Sequence, residues 1–484
     1  MADAVPNDPA TSDEAMVFRR LFGTRRSGRS DIREELRMTA LITVEVKDKV
    51  EKSYHDEQNS FNKPSDHDIF PQYSILGFHS GKSSRICPDQ PILLNTNVPS
   101  SAFICGSQGS GKSYTLSCML ENYLLADSRL GRVGEPMAAL VFNYNPDGDA
   151  AAAEVAYLAS LGVSVNILVS QSNFRARRSA YKQLPGAANH LTISPLLLHD
   201  SHLSIERMHR LMAFTDKSNS VPLYMFVVLR ILRQMAIRGK STAFNYRDFK
   251  IALGKEDLSK DQLGPLHLRL DLLESFLDLD KGRYTTTNVF TLKPGTLTII
   301  DLTDPFMDSN TACILFEICL SLVKENRPSS GLVVALDEAH KYMTNSLAAS
   351  SFTERILGTI REQRHNATRI IIATQEPTIS QTLMDLCTVS IVHRFTSPMW
   401  FASIRSHLGG FLETFPNGSE QDEMFDRIVN LDVGECLVFS PPAFLCLSEE
   451  GMATRLGRTV ITMKTRTRLS QDGGRSIVAQ PSAS

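Results

Sequence analysis

The chain has 484 residues, 42% of them hydrophobic and 21% charged, and a formal net charge of −2. That balance excludes a chain-wide pull toward nucleic acid, so any such contact must come from a local basic patch. The length allows one large domain or two to three ordinary ones.

The eight cysteines are scattered with no C-x-x-C pair, which argues against a zinc site and for reduced thiols in a cytoplasmic or nuclear protein. The most apolar stretch, 221–237, is interrupted by Arg230 and Arg233 and is too short to span a bilayer, so no membrane partner is expected. The first residues lack the basic-then-apolar layout of a signal peptide.

In chain order, residues 1–65 read as a weakly structured arm with a basic stretch at Arg19, Arg20, Arg25, Arg26, Arg29 and Arg33. Short strands are expected at 73–77 and 91–95. The apolar run 101–105 reads as a buried strand, and 114–125 as a helix with Leu116, Met119, Leu120 and Tyr123 on one face.

Between them lies Gly106-Ser107-Gln108-Gly109-Ser110-Gly111-Lys112-Ser113, which fits G-x-x-x-x-G-K-[ST] at every fixed position. Glycines at those places let successive N–H groups turn inward around phosphate oxygens, and the helix that opens at Tyr114 adds its N-terminal dipole. The pattern assigns residues 106–114 to nucleotide binding, with Lys112 reaching the β- and γ-phosphates and Ser113 ligating Mg²⁺.

Further strands are expected at 137–142 and 163–169, with a helix at 150–161 between them. Strands alternating with helices predict an α/β fold with a mostly parallel sheet buried on both faces. From 194 to 283 the rhythm breaks into helical patterns, read as a helical insertion. Lys217, Arg230, Arg233, Arg238, Lys240, Arg247 and Lys250 make this insert locally basic. The sheet resumes at 296–301.

Residues 331–336 then run apolar into Asp337-Glu338. A strand of this kind carries Asp337 to the C-terminal sheet edge, where Mg²⁺ would sit, and sets Glu338 within reach of an attacking water as its base. A helix over 352–364 carries Arg355, Arg361 and Arg364. The next strand, 369–375, ends in Thr374-Gln375 and would place the Gln375 amide near the γ-phosphate. Strands at 389–395 and 434–439, with a helix at 398–408, complete the pattern. The stretch 455–475 is basic and reads mostly as a flexible tail.

Taken together these segments resemble the HerA/FtsK superfamily of P-loop ATPases, on its HerA-like branch. The resemblance rests on residues 106–113, Asp337-Glu338-Ala339-His340, Arg361-Glu-Gln-Arg364-His365, Thr374-Gln375-Glu376-Pro377 and Val392-His393-Arg394-Phe395, and spans about residues 70 to 445. Three departures stand out. Asn143 replaces a common Asp, Gln108 replaces a usual Thr, and no N-terminal β-barrel is evident.

The resemblance implies a RecA-like P-loop NTPase core that hydrolyses ATP with Mg²⁺, in a homo-oligomer such as a hexameric ring. It also implies an arginine, Arg364 or Arg361, donated to a neighbour's nucleotide. The work done is nucleic-acid translocation or processing, with DNA or RNA held by the basic insert and tail. The alternative is an ATP-driven switch or scaffold acting on a protein. The expected layout is an arm (1–65), the first core segment (66–193), the insertion (194–283), the second core segment (284–464) and a flexible tail (465–484).

Overall fold

The computed structural model describes residues 28–61, 68–81, 86–147, 151–212, 223–238, 244–278, 289–407 and 419–471. Arg19, Arg20, Arg25, Arg26, Lys217, Lys240 and Arg475 lie outside them.

The chain opens with α1 (Gly28–Arg37), β1 (Leu41–Thr43) and α2 (Val44–Phe61), then β2 (Tyr73–His79), β3 (Pro91–Leu94) and β4 (Ser101–Cys105). Next come α3 (Lys112–Leu124), β5 (Gly131–Arg132), β6 (Ala138–Asn143), a 3-10 run (Glu154–Leu161), β7 (Ser164–Val169), α4 (Phe174–Lys182), α5 (Ala187–His190) and β8 (Leu191–Pro195). Helices α6 (Ile205–Met212), α7 (Leu223–Arg238), α8 (Tyr246–Leu253) and α9 (Lys260–Glu274) fill the interval before β9 (Thr296–Asp301). The rest is α10 (Ser309–Glu325), β10 (Leu332–Leu336), α11 (Leu347–Arg361), β11 (Thr368–Thr374), α12 (Gln381–Leu386), β12 (Val389–His393) and α13 (Pro398–His407). It closes with α14 (Ser419–Val429), β13 (Glu435–Phe439), β14 (Phe444–Leu447), β15 (Ala453–Arg455) and β16 (Ile461–Thr465).

One sheet runs through the molecule in the order β15-β14-β1-β3-β2-β16-β13-β12-β4-β11-β10-β6-β9-β7-β8, with β5 paired off β2. From β12 to β8 every neighbouring pair is parallel. The central strands β4, β11, β10 and β6 are buried on both faces, as their apolar sequences require, and burial falls away toward β7 and β8 at the edge.

The period of two splits single strands between two cores. Phe103 and Cys105 of β4, Leu140 and Phe142 of β6, and Val334 and Leu336 of β10 join one core with α10, α11 and the helical block. Ala102 and Ile104, Ala139 and Val141, and Val333 and Ala335 face the other, with Leu116, Met119, Leu120 and Tyr123 of α3.

Caps set where helices begin. The Asp308 carboxylate accepts the Thr311 N–H at 2.7 Å to start α10, and the Ser346 hydroxyl accepts the Ala349 N–H at 3.1 Å to start α11.

Several expectations need correction. Within the arm expected over 1–65, residues 28–61 are built structure. Leu36, Ile42 and Val46 are buried with Phe70, Leu93 and Phe444 in a core of their own. Local composition hid this because the apolar partners lie in β3 and β14.

The flexible tail expected from 465 is packed as far as residue 471: Arg466, Arg468 and Ser470 are all buried. The 3-10 run Glu154–Leu161 replaces a full helix at 150–161. Helix α11 ends at Arg361, which leaves Arg364 in the turn that follows. The sheet also continues through β8, so strand pairing persists into the interval read as helical from 194.

Candidate nucleotide site

The C-terminal ends of parallel strands are where such sheets bind ligands. Here β11 lies between β4 and β10, with Thr374 paired to Cys105 and Ile372 to Leu336. The residues that follow each strand therefore emerge side by side: Gly106 from β4, Gln375 from β11 and Asp337 from β10. The sheet thus brings the loop lysine region, the amide and the two acids to one edge.

The 106–113 loop is held open by backbone conformation. Gly106, Gly109 and Gly111 have φ of 152°, 72° and 113°. A Cβ on Gly106 would stand 2.6 Å from the His393 Cβ, and one on Gly111 would stand 3.3 Å from the Gly434 Cα. Both positions need glycine for conformation and for space. The Ser107 N–H and hydroxyl both donate to the Arg394 carbonyl at 2.9 Å, tying the loop to the end of β12. Lys112 folds back across the loop and donates to the Ser107 carbonyl at 3.0 Å. Burial pushes its pKa down against the pull of Glu338 and Asp337. Ser113 and Tyr114 are half-buried at the start of α3, and Gln108 is exposed at the loop tip.

Asp337 is 5% exposed, and its Oδ1 accepts the Glu338 N–H at 3.0 Å. Burial, then the neighbouring charges of Glu338 and Glu154, raise its pKa to about 7. Glu338 has φ 47° and ψ 44°, a left-handed conformation that costs a non-glycine residue about 1–2 kcal/mol. Such conformations cluster at functional sites. Its Oε2 is buried with no hydrogen-bond partner among the described residues.

The hard-oxygen pair of Ser113 and Asp337 suits a magnesium ion completed by substrate phosphates and water. Among the described residues no cluster of three or more His, Cys, Asp or Glu could hold a metal unaided.

Asn143 ends β6 on the same edge and points elsewhere. Its amide donates to Asp301 Oδ1 at 2.9 Å. Asp301 is fully buried and also accepts from Arg177, Tyr181 and Thr303, so it is consumed by structure. Arg361 and Arg364 are exposed at the opposite end, just before β11 begins. The fold does not bring either to its own loop. A cavity of about 680 Å³ lies away from the loop, between α6, α10 and α11, and Arg207, Arg210 and Arg355 there face Glu206, Glu317 and Glu325.

Sequence reasoning missed the rear wall of the loop. His393 Nδ1 donates to the Glu435 carbonyl at 3.0 Å, which leaves Nε2 to accept from the Thr115 hydroxyl at 3.0 Å. Thr115 in turn meets the Thr465 hydroxyl at 2.9 Å. Below it, fully buried Glu121 accepts from Arg466 at 2.8 Å, from the Ser470 N–H at 2.9 Å and from the Ser470 hydroxyl at 2.7 Å. Arg468 bonds Glu154 at 2.5 Å and lies over the Tyr114 ring. The Val392-His393-Arg394 run was visible, but nothing in it marked His393 as a support for the loop.

No protein-family model matches the sequence, and neither does any curated protein. Solved structures do match. VirB4 of Thermoanaerobacter pseudethanolicus superposes at a TM-score of 0.50 and 13% identity, over 82% of this chain and 97% of that one. Two others match at lower scores. The genome packaging NTPase B204 from Sulfolobus turreted icosahedral virus 2, in complex with ATP-gammaS, gives 0.25 at 13% identity over 38% and 73%. The cytoplasmic domain of the Thermomonospora curvata type VII secretion ATPase EccC gives 0.28 at 12% over 82% and 29%. The fold is that of a P-loop NTPase. The chain shares its architecture with VirB4 over most of the length of both molecules. Among the described residues, no helix is long and apolar enough to cross a membrane.

Proposed function

We propose that this protein hydrolyses ATP with Mg²⁺, in a ring of identical subunits, and uses the cycle to move or process nucleic acid. The carrying observation is the edge at which the 106–113 loop, Gln375 and the Asp337–Glu338 pair emerge from three adjacent strands. Lys112 releases the Ser107 carbonyl and turns to the β- and γ-phosphate oxygens. Ser113 and Asp337 would hold Mg²⁺, which would neutralise phosphate charge and favour the ionised Asp337 carboxylate that burial disfavours. Glu338, with Oε2 unpaired, takes the proton of the attacking water. Gln375 donates its amide to the γ-phosphate region.

Arg364, exposed at the far end of β11, serves a neighbouring subunit's nucleotide, with Arg361 as the alternative. Such a group is worth about 10³ to 10⁵ in rate. Lys112→Ala should lose nucleotide binding. Glu338→Gln should bind ATP and turn over at least about a hundredfold more slowly. Full turnover in Glu338→Gln would remove the base assignment. Arg364→Ala should bind ATP but hydrolyse it poorly, and regain activity when mixed with Lys112→Ala.

A second reading, an ATP-driven switch acting on protein, is favoured by one observation. The helical block neutralises part of its own basic character, with Arg230 against Glu256 and Lys250 against Glu274. Turnover measured with and without DNA separates the two. Nucleic-acid stimulation that falls steeply with salt supports translocation, and turnover indifferent to DNA and RNA supports the switch.

A further inference from the structure

His340 has no role in the scheme above, yet it stands between two of its members. It lies in the short 3-10 turn Ala339–Lys341 that follows Glu338. Its Nδ1 accepts the Gln375 backbone N–H at 3.4 Å. The same nitrogen is 3.5 Å from Glu338 Oε2. A ring nitrogen has one in-plane position for a proton or a lone pair. While Nδ1 accepts from Gln375 it cannot donate to the carboxylate, which is why that buried oxygen has no partner among the described residues. Burial keeps the ring neutral against the pull of Glu338 and Glu376, and Lys341 and Lys112 act in the same direction as burial.

We propose that His340 is a positioning residue that couples the water base to the strand carrying the γ-phosphate amide. Glu338 leaves β10 and Gln375 leaves β11, and His340 is in contact with both. A shift at the end of β11 moves the imidazole, and the imidazole limits where the Glu338 carboxylate can lie. The left-handed backbone at Glu338 turns the chain so that residue 340 comes back over residue 338. The ring thereby holds the carboxylate in place by contact while leaving Oε2 available to a water proton. This inference rests on the ATPase reading of the site.

His340→Ala and His340→Asn test it. Asn can place an oxygen toward the Gln375 N–H and an amide toward Glu338, whereas Ala offers neither. In His340→Ala, kcat for ATP should fall about ten- to a hundredfold, the scale of a misplaced catalytic group. KM should stay within about threefold, because the phosphate contacts are untouched. Hydrogen exchange of the peptide containing Gln375 should speed up in the same variant. His340→Asn should restore the slow exchange and most of kcat.

Wild-type kcat in His340→Ala would overturn the proposal, as would unchanged exchange at Gln375. A folded His340→Asn as impaired as His340→Ala would overturn it too, and serves alone if the alanine variant does not fold. Full activity in His340→Ala beside a stalled Glu338→Gln would defeat this inference and leave the ATPase reading intact. A wild-type protein without ATP hydrolysis would defeat both.

Discussion

Between β12 and β8 the sheet is parallel, and its strands appear in the sequence as apolar runs of five to seven residues followed by helices or turns. Beyond β12 it is largely antiparallel and interleaves strands from the two ends of the chain, such as β2 with β16 and β1 with β14. The first region positions the groups proposed for chemistry. The second meets His393 of the boundary strand β12 and with it closes the back of the 106–113 loop, through Gly434 and Thr465, and grips α3 through Arg466. Residues proposed to touch phosphate and residues that shape the loop therefore come from regions built on different plans. Damage to each should be felt differently.

The strongest test of that division is to break the grip. Arg466→Met leaves buried Glu121 without its cation and empties the contacts to Cys118, Ile75 and Asn122. It should cost about 3 kcal/mol or more in a denaturant titration. Glu338→Gln, at the parallel edge, should leave the same titration unchanged while turnover collapses. Equal stability in Arg466→Met would mean that the terminal segment merely lies against α3.

Acid separates the regions next. His393 is fully buried, and burial, followed by the smaller effect of Lys112, depresses its pKa to about 4. The unfolded chain takes up this proton near pH 6.5 and the folded chain does not. Stability should therefore be whole above about 6.5 and should fall by about 3 kcal/mol as pH drops through 4. His393→Gln should flatten that part of the profile, and a flat profile in the wild type would remove histidine from the loop's support.

The smallest expected effect is at the hydroxyl pair. Thr115→Val and Thr465→Val should each cost about 1 kcal/mol, and the double variant less than their sum, because both remove one shared bond. Strict additivity would show that the two regions do not communicate there.

Apart from β8, the parallel region was readable because its signals are local. The 106–113 loop, Asp337-Glu338 and Gln375 each follow an apolar run, and two-sided burial demands such runs. The antiparallel region was legible only at β2, β3 and β13. β1 and β15 have three residues each and β5 has two, too short for a period to register. Arg466 and Arg468 look like the charges of a solvated tail until Glu121 and Glu154 are known to be their partners. The nearer of those partners lies more than 300 residues away in sequence. The basic character of residues 28–37 masked the small apolar face that Leu36 contributes. Asn143 was noted as a departure, and its tie to Asp301 shows a position given to structure.

The bond between Thr115 and Thr465 joins residues 350 positions apart. A ribosome adding roughly 5–20 residues per second needs on the order of 20–70 s to cross that interval. Throughout that time the nascent loop has its glycines and its lysine but no back wall. The emerging polypeptide thus cannot complete the back of the 106–113 loop until β16 has been made. A pause or a premature stop downstream of β11 would yield a product that displays the nucleotide motif intact and still lacks the means to hold it in shape.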